Sequence, residues 1–182
     1  MLAPGDDATL RSIIEDLAGR FASPLFQPHL TLVEEQEREL AELDSVCRIL
    51  AAETEQFCAS IQAVGTSNFY FRSFYALFQP EGALLNLRRG MIEALSLDSS
   101  GVFMPHISLL YGVEPSVEKE RARVALELDL AGTSICFDRI CVVESAKTIP
   151  IANWAVRLTA ELRPTPRRLR PSGRSGEGNA EP

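Results

Sequence analysis

His29 and His106 are the only two histidines of the chain, and both stand in the same short context. The first reads Phe26-Gln27-Pro28-His29-Leu30-Thr31-Leu32-Val33, the second Met104-Pro105-His106-Ile107-Ser108-Leu109-Leu110-Tyr111-Gly112. Each is Pro-His-aliphatic-(Ser/Thr)-Leu. At ordinary residue frequencies one histidine meets that context on the order of once in several hundred. A lone histidine on a strand is usually structural. Two matched copies that exhaust the histidines point to a pair with a shared task.

The chemistry open to such a pair is proton transfer in both directions. Imidazole titrates near pH 6.5, so one neutral and one protonated ring can coexist near neutrality. One takes a proton from an attacking water while the other gives one to a leaving oxygen. On an alternating strand His106 and Ser108 share a face, as do His29 and Thr31. The two hydroxyls can then donate to non-bridging phosphate oxygens as charge develops. Hydrolysis of a strained cyclic phosphodiester fits this equipment and requires no metal or cofactor. No P-loop, G-x-S-x-G elbow, dinucleotide fingerprint or H-E-x-x-H motif is present.

Positioning the pair falls to a recurring order of elements. Leu10, Ile13, Ile14, Leu17 and Phe21 form a helical stripe capped by Asp6 or Asp7, with Gly19 near its end. The first histidine strand follows at 28–33. A charged helix over 34–52 turns Leu40, Leu43, Val46 and Leu50 inward. Strands over 57–64 and 69–78 flank a Gly65-Thr66-Ser67-Asn68 turn. In the second strand Tyr70, Arg72 and Phe74 share a face. Tyr70 and Arg72 are candidate substrate contacts: the arginine could hold a phosphate, flank a base, or merely snorkel over apolar neighbours.

A helix over 80–97 buries Leu84, Leu87, Met91 and Leu95 and turns Arg88 and Arg89 outward. The second histidine strand comes next. A helix from Ser116 presents Val117, Val124 and Leu128 as its apolar side, and strands follow at 135–143 and around Trp154 to Ala160. The order is a βαββ-like unit used twice. That repetition predicts two lobes related by an approximate two-fold, with His29 and His106 meeting across a central cleft. Residues 1–163 form the domain. Residues 164–182, rich in Pro, Arg and Gly with one large apolar side chain, are expected to be disordered.

Composition narrows the partners. The net charge is −7, and because residues 164–182 hold four Arg and two Glu, residues 1–163 carry 14 basic and 23 acidic side chains, about −9. Such a body is a poor match for long nucleic acid, whereas a small phosphate-bearing substrate can still meet a local positive pocket. No run of about 18 apolar residues is present and no secretory leader is visible, so a cytoplasmic, monomeric protein is expected. Cys47, Cys58, Cys136 and Cys141 lack paired C-x-x-C spacing and are expected to be reduced, packed thiols rather than metal ligands.

The paired motifs resemble the 2H phosphoesterase superfamily. The flanks Phe-Gln-Pro-His-Leu-Thr-Leu-Val and Met-Pro-His-Ile-Ser-Leu-Leu-Tyr-Gly, with the closing Asn153-Trp154 strand, look most like its cyclic phosphodiesterase branch, over about residues 6–162. The resemblance implies a bilobal α+β fold and metal-free hydrolysis of 2′,3′-cyclic nucleotides, or of ADP-ribose 1″,2″-cyclic phosphate. On this chain it implies His29 and His106 as the acid/base pair; His106 is taken as the base and His29 as the acid, an order that the sequence alone does not decide. It further implies Thr31 and Ser108 as phosphate ligands and Tyr111 as a substrate contact, which requires the strand to bend after Leu110. Alternatives are an RNA-end phosphodiesterase of the 2′-5′ RNA ligase-like branch and a non-catalytic phosphate-binding relative. The family's opening aromatic strand is expected to be truncated here to Met1-Leu2-Ala3-Pro4, exposing a sheet edge.

Overall fold

The computed structural model describes residues 1–34, 36–98, 100–146 and 148–165; most of the tail from 166 onward, expected to be disordered, lies outside the described residues. Helix α1 (Pro4–Phe21) starts three residues earlier than a cap at Asp6 predicts, because Pro4 supplies a first turn that needs no N–H partner. Asp6 and Asp7 therefore sit inside that turn, where the helix dipole favours negative charge. Asp6 also accepts from the Cys136 amide at 2.8 Å, fastening the helix to the sheet.

Helix α2 (Leu40–Glu53), strand β1 (Phe57–Thr66), strand β2 (Phe74–Phe78) and helix α3 (Gly82–Ala94) follow in order. Then come strand β3 (His106–Leu110), helix α4 (Val117–Leu130), strands β4 (Ser134–Phe137) and β5 (Arg139–Glu144), and strand β6 (Ala155–Glu161). A four-stranded sheet has the order β3-β2-β1-β4, all antiparallel, and β5 pairs with β6 in a second sheet. Two apolar clusters match the two lobes. One joins α1 to the four-stranded sheet through Leu10, Ile14, Phe74, Ile107 and Leu109. The other joins α2, α3 and the two-stranded sheet through Cys47, Leu87, Met91, Ile140 and Leu162. The fold is the expected bilobal α+β arrangement of antiparallel sheets and helices about a cleft.

Several local expectations change. The strand predicted over 135–143 divides at Asp138: β4 stays in the first sheet and β5 enters the second. The strand predicted over 69–78 begins only at Phe74, because Tyr70–Arg72 form a 3-10 turn. Tyr70 and Phe74 therefore share no face; Tyr70 is 52% exposed and Phe74 is fully buried. The first histidine segment is extended but makes only a single antiparallel bridge, Leu30 to Ile107. In α2 the most buried positions are Cys47 and Ala51, and Leu40 is exposed.

Helix α4 is rotated from the expected face. Val117, Val124 and Leu128 point outward, and Lys119, Ala122 and Leu130 are buried. Ser116 does cap this helix, accepting from the Lys119 amide at 3.1 Å. Lys119 is tolerated inside because its ammonium donates to the Val113 carbonyl at 2.6 Å and the Ser67 carbonyl at 3.3 Å.

The cysteine expectation is corrected for one pair. Cys58 of β1 lies opposite Cys136 of β4 in the ladder, and the two are joined by a disulfide across 78 residues of sequence. Cys47 and Cys141 are free. Burial pushes the Cys47 thiol up to about 11, so it is a packing group, not a nucleophile. At the N-terminus Leu2 bridges Phe137, and the Met1 ammonium donates to the Arg139 carbonyl at 2.7 Å.

Candidate active site

One long-range contact assembles the paired motifs. In an antiparallel pair, residues flanking a bridge lie opposite one another on the other face of the ribbon. With Leu30 opposite Ile107, that register sets His29 against Ser108 and Thr31 against His106. Leu30 and Ile107 are 8% and 0% exposed, so they anchor the pairing from the core side. The two histidines are then diagonal neighbours, on the order of 7–8 Å apart at the backbone. That spacing leaves room for a phosphorus centre between two imidazoles.

Both rings are oriented by the same device. His29 Nδ1 lies 2.7 Å from the Gln27 carbonyl, and His106 Nδ1 lies 2.9 Å from the Met104 carbonyl. A carbonyl can only accept, so each ring carries its proton on Nδ1 and presents Nε2 to the cleft. The intervening Pro28 and Pro105 have fixed φ and hold the preceding residue extended, which stiffens the two carbonyls. This explains the proline of the motif. The repeated spacing is visible in the sequence, whereas the carbonyl contact it produces is not.

Burial is the first cause that pushes both imidazoles below their ordinary value. For His29 the Met1 ammonium and His106 push the same way; for His106 Arg72 does, while the carbonyl contacts oppose. Tyr75 supports His106 from behind, edge to face at 5.7 Å between centroids. Gly65 allows this, since a Cβ there would stand 2.5 Å from the Tyr75 ring. On the other side Arg88, expected to face outward, turns in: its guanidinium donates to the Leu32 carbonyl and stacks on Phe103, tying the two histidine segments together.

The predicted hydroxyls differ in setting. Thr31 is exposed beside His29. Ser108 is 7% exposed and donates to the Phe71 carbonyl at 2.7 Å. To serve a phosphate, its proton must swing away from Phe71. Tyr111 departs from strand alternation because β3 ends at Leu110. Ser23 receives the Tyr111 amide and donates to its carbonyl, holding this bend. The Tyr111 ring stacks on Phe26 at 3.8 Å and meets Phe71 edge-on at 5.3 Å. Burial pushes its phenol well up, with the Ser108 hydroxyl opposing.

Tyr70 and Phe71 are the exposed front of this aromatic group, with Trp154 beside Phe71 at 5.8 Å. Gly112 receives close contact from Tyr70: its amide donates to the Tyr70 carbonyl at 2.8 Å, its φ is +65°, and a Cβ would meet the Tyr70 ring at 2.5 Å. Only glycine meets both demands. The Arg72 guanidinium lies over the Phe69 and Tyr75 rings, at 4.9 and 5.8 Å from their centroids. Of the seven predicted positions, the bridge register brings His29, Thr31, His106 and Ser108 together, while Tyr70 and Tyr111 belong to the aromatic group and Arg72 lies over Phe69 and Tyr75. Beside His29 and Thr31 a cavity of about 390 Å³ runs between the lobes toward Leu87, Met91 and Val142, without reaching His106.

Among the described residues no group of three or more His, Cys, Asp and Glu is arranged to hold a metal, and no helix is long and apolar enough to cross a membrane. Comparison with known proteins bears on the fold and on the class of enzyme. The family model for cyclic phosphodiesterase-like proteins matches residues 4–155. A cyclic phosphodiesterase of Arabidopsis thaliana is 24% identical over 164 residues, covering 85% of this chain and 87% of the relative. Among solved structures, TT0787 of Thermus thermophilus is similar with a TM-score of 0.57 at 20% identity, over 86% of this chain and 93% of that one. LigT of E. coli, solved with 3′-AMP, is similar at 0.55 and 16% identity, over 85% and 92%. These structural likenesses carry the fold, and the family match carries the class of enzyme. The chain belongs to the cyclic phosphodiesterase-like family of the 2H phosphoesterase superfamily and is a phosphodiesterase.

Proposed function

We propose that this protein hydrolyses a 2′,3′-cyclic nucleotide, or a related cyclic phosphate such as ADP-ribose 1″,2″-cyclic phosphate, by acid/base catalysis between its two histidines. For a 2′,3′-cyclic nucleotide, water attacks phosphorus opposite the 3′-oxygen, and His106 Nε2 takes the water proton. The P–O3′ bond breaks, His29 Nε2–H protonates the 3′-oxygen, and the product is a 2′-phosphate. Solvent then returns both imidazoles to their starting states. The observation that carries this reading is the Leu30–Ile107 bridge, with both Nδ1 atoms tied back to carbonyls and both Nε2 atoms free for the reaction.

A nearby cation disfavours the protonated form of both rings, Arg72 at His106 and the Met1 ammonium at His29, so the order of His106 as base and His29 as acid rests on the family resemblance. Thr31 and the reoriented Ser108 hydroxyl donate to the equatorial oxygens, where added charge makes hydrogen bonds stronger than in the ground state. The excess of acidic side chains over residues 1–163 favours a small substrate over a long RNA.

The direct test is turnover of 2′,3′-cyclic AMP with EDTA present, resolving 2′-AMP from 3′-AMP by chromatography. Full activity in EDTA with 2′-AMP as product is expected. A dependence on added metal, or 3′-AMP as the product, contradicts the mechanism. A second test concerns Tyr70, exposed and opposite the bend at Gly112. Base stacking on an aromatic ring is worth about 1–3 kcal/mol, so Tyr70→Ala is expected to raise KM roughly 5- to 100-fold while kcat moves little. A fall in kcat at constant KM would place Tyr70 with the reacting atoms instead.

A further inference from the structure

Arg72 differs from the other described arginines in having a buried nitrogen without a hydrogen-bond partner. Eight of the described arginines, Arg139 and Arg157 among them, pair with a carboxylate. In a body this acidic, that is the default arrangement for a guanidinium. Arg72, like Arg88, Arg89 and Arg121, has no carboxylate partner among the described residues. Its neighbours are two aromatic rings and the Met104 sulfur, 3.7 Å from Nη1. Its Nε is fully buried and has no hydrogen-bond partner. A buried N–H left unpaired costs about 1–3 kcal/mol, and such a group in a native structure calls for a partner that the protein itself does not supply.

On the phosphodiesterase reading above, we propose that Arg72 forms an anion subsite that binds a second phosphate of the substrate, separate from the cyclic phosphate between the histidines. Position argues for a second group rather than the reacting one. Tyr75 contacts both, its ring 5.7 Å from the His106 ring and 5.8 Å from the Arg72 guanidinium. Among the described residues the hydrogen-bond partner of the guanidinium is the Met104 sulfur, not either imidazole. The two are nevertheless coupled through one residue: Met104 offers its carbonyl to His106 and its sulfur to Arg72.

The Tyr70–Arg72 turn that carries this side chain is held firmly. Ser67 Oγ donates to the Arg72 carbonyl at 2.6 Å, and Lys119 fixes the Ser67 carbonyl in turn. The backbone is set while the guanidinium lacks a strong polar partner, an arrangement suited to an incoming phosphate. Aromatic faces hold the cation in place by about 0.5–1 kcal/mol each, less than a charge-assisted bidentate pair supplies. An anion can therefore draw the side chain out of its resting position. Selectivity follows: a cyclic phosphate bearing a further phosphate elsewhere on the nucleoside is preferred to one without it.

The test uses reaction products as ligands, so it does not depend on turnover. Titration calorimetry of wild-type protein is expected to show adenosine 2′,5′-bisphosphate binding about 10- to 100-fold more tightly than 2′-AMP, the range for a hydrogen-bonded charge pair. Arg72→Met should bring that ratio to within about twofold, and Arg72→Lys should keep part of it, since an ammonium retains the charge but not the planar fork. A wild-type ratio near one overturns the proposal, and so does a ratio that survives in Arg72→Met. If wild-type protein hydrolyses 2′,3′-cyclic AMP and the ratio is near one, the subsite is wrong and the catalytic reading stands. If the ratio depends on Arg72 and 2′,3′-cyclic AMP is not hydrolysed, the substrate reading fails and the subsite stands.

Discussion

Replacing either histidine with alanine is expected to lower kcat for 2′,3′-cyclic AMP by roughly 10² or more, the usual contribution of a positioned general acid or base. The expectation rests on geometry common to both rings. Each is fixed through Nδ1 to the carbonyl two residues before it, so alanine removes a group already oriented for proton transfer. The double variant His29→Ala/His106→Ala should lose little more than the worse single variant, because acid and base act in one transition state and their effects do not add. KM should change far less than kcat. Both rings are half-buried on the cleft side rather than in the core, so thermal unfolding of the single variants should stay close to wild type. Parental turnover in both single variants would rule out the paired mechanism.

The pH dependence should be almost as large. Both imidazoles sit below their ordinary value, chiefly because burial disfavours the charged form. Catalysis needs one ring neutral and the other protonated. The profile of kcat/KM should therefore be a bell centred below about pH 6.5, the ordinary imidazole value. On its alkaline side it should fall about tenfold per pH unit as the acid loses its proton. The two limbs belong to the interacting pair rather than to either ring. A profile that rises from pH 6.5 to 8.5 would contradict this account.

Stability runs the opposite way. A histidine whose folded pKa lies below its unfolded one binds fewer protons when folded, so the unfolded state gains as pH falls through about 6.5. Stability from these two groups is full above that value and is lost toward acid. Circular dichroism at each pH separates this loss from the acid limb of the activity bell. In His29→Ala and His106→Ala the acid loss of stability should diminish, since a titrating group that favours unfolding has been removed.

Much of this site could be read from the chain because its signals are local. Pro-His-aliphatic-(Ser/Thr)-Leu is a five-residue pattern, and strand alternation places its polar side chains on one face whatever they meet there. The helical stripes of α1 and α3 were legible for the same reason. Leu10, Ile14, Leu84, Leu87 and Met91 are all buried as their periodicity requires. Where local rules compete, the reading fails. Tyr70–Arg72 has β-prone residues yet forms a 3-10 turn, because Ser67, Ser73 and Lys119 bind the surrounding carbonyls. In α4 the aliphatic residues face out and a lysine faces in, since two loop carbonyls give its ammonium what water would. A hydrophobicity pattern has no means of registering such partners.

The sequence by itself determined the chemical equipment: two imidazoles, each with a hydroxyl two residues on, encoded in two five-residue motifs. Tertiary structure alone decided that these pieces form one site. The Leu30–Ile107 bridge joins segments 77 residues apart, and the Cys58–Cys136 disulfide follows from a ladder register between β1 and β4. Register is a property of two strands together, fixed by core packing on the far side of the sheet. The same holds for Arg72. Its type was plain in the chain, but the lack of a carboxylate beside it, and the Tyr75 ring that it shares with His106, are facts of packing. Residue chemistry is written locally, whereas proximity is set only when the whole core closes.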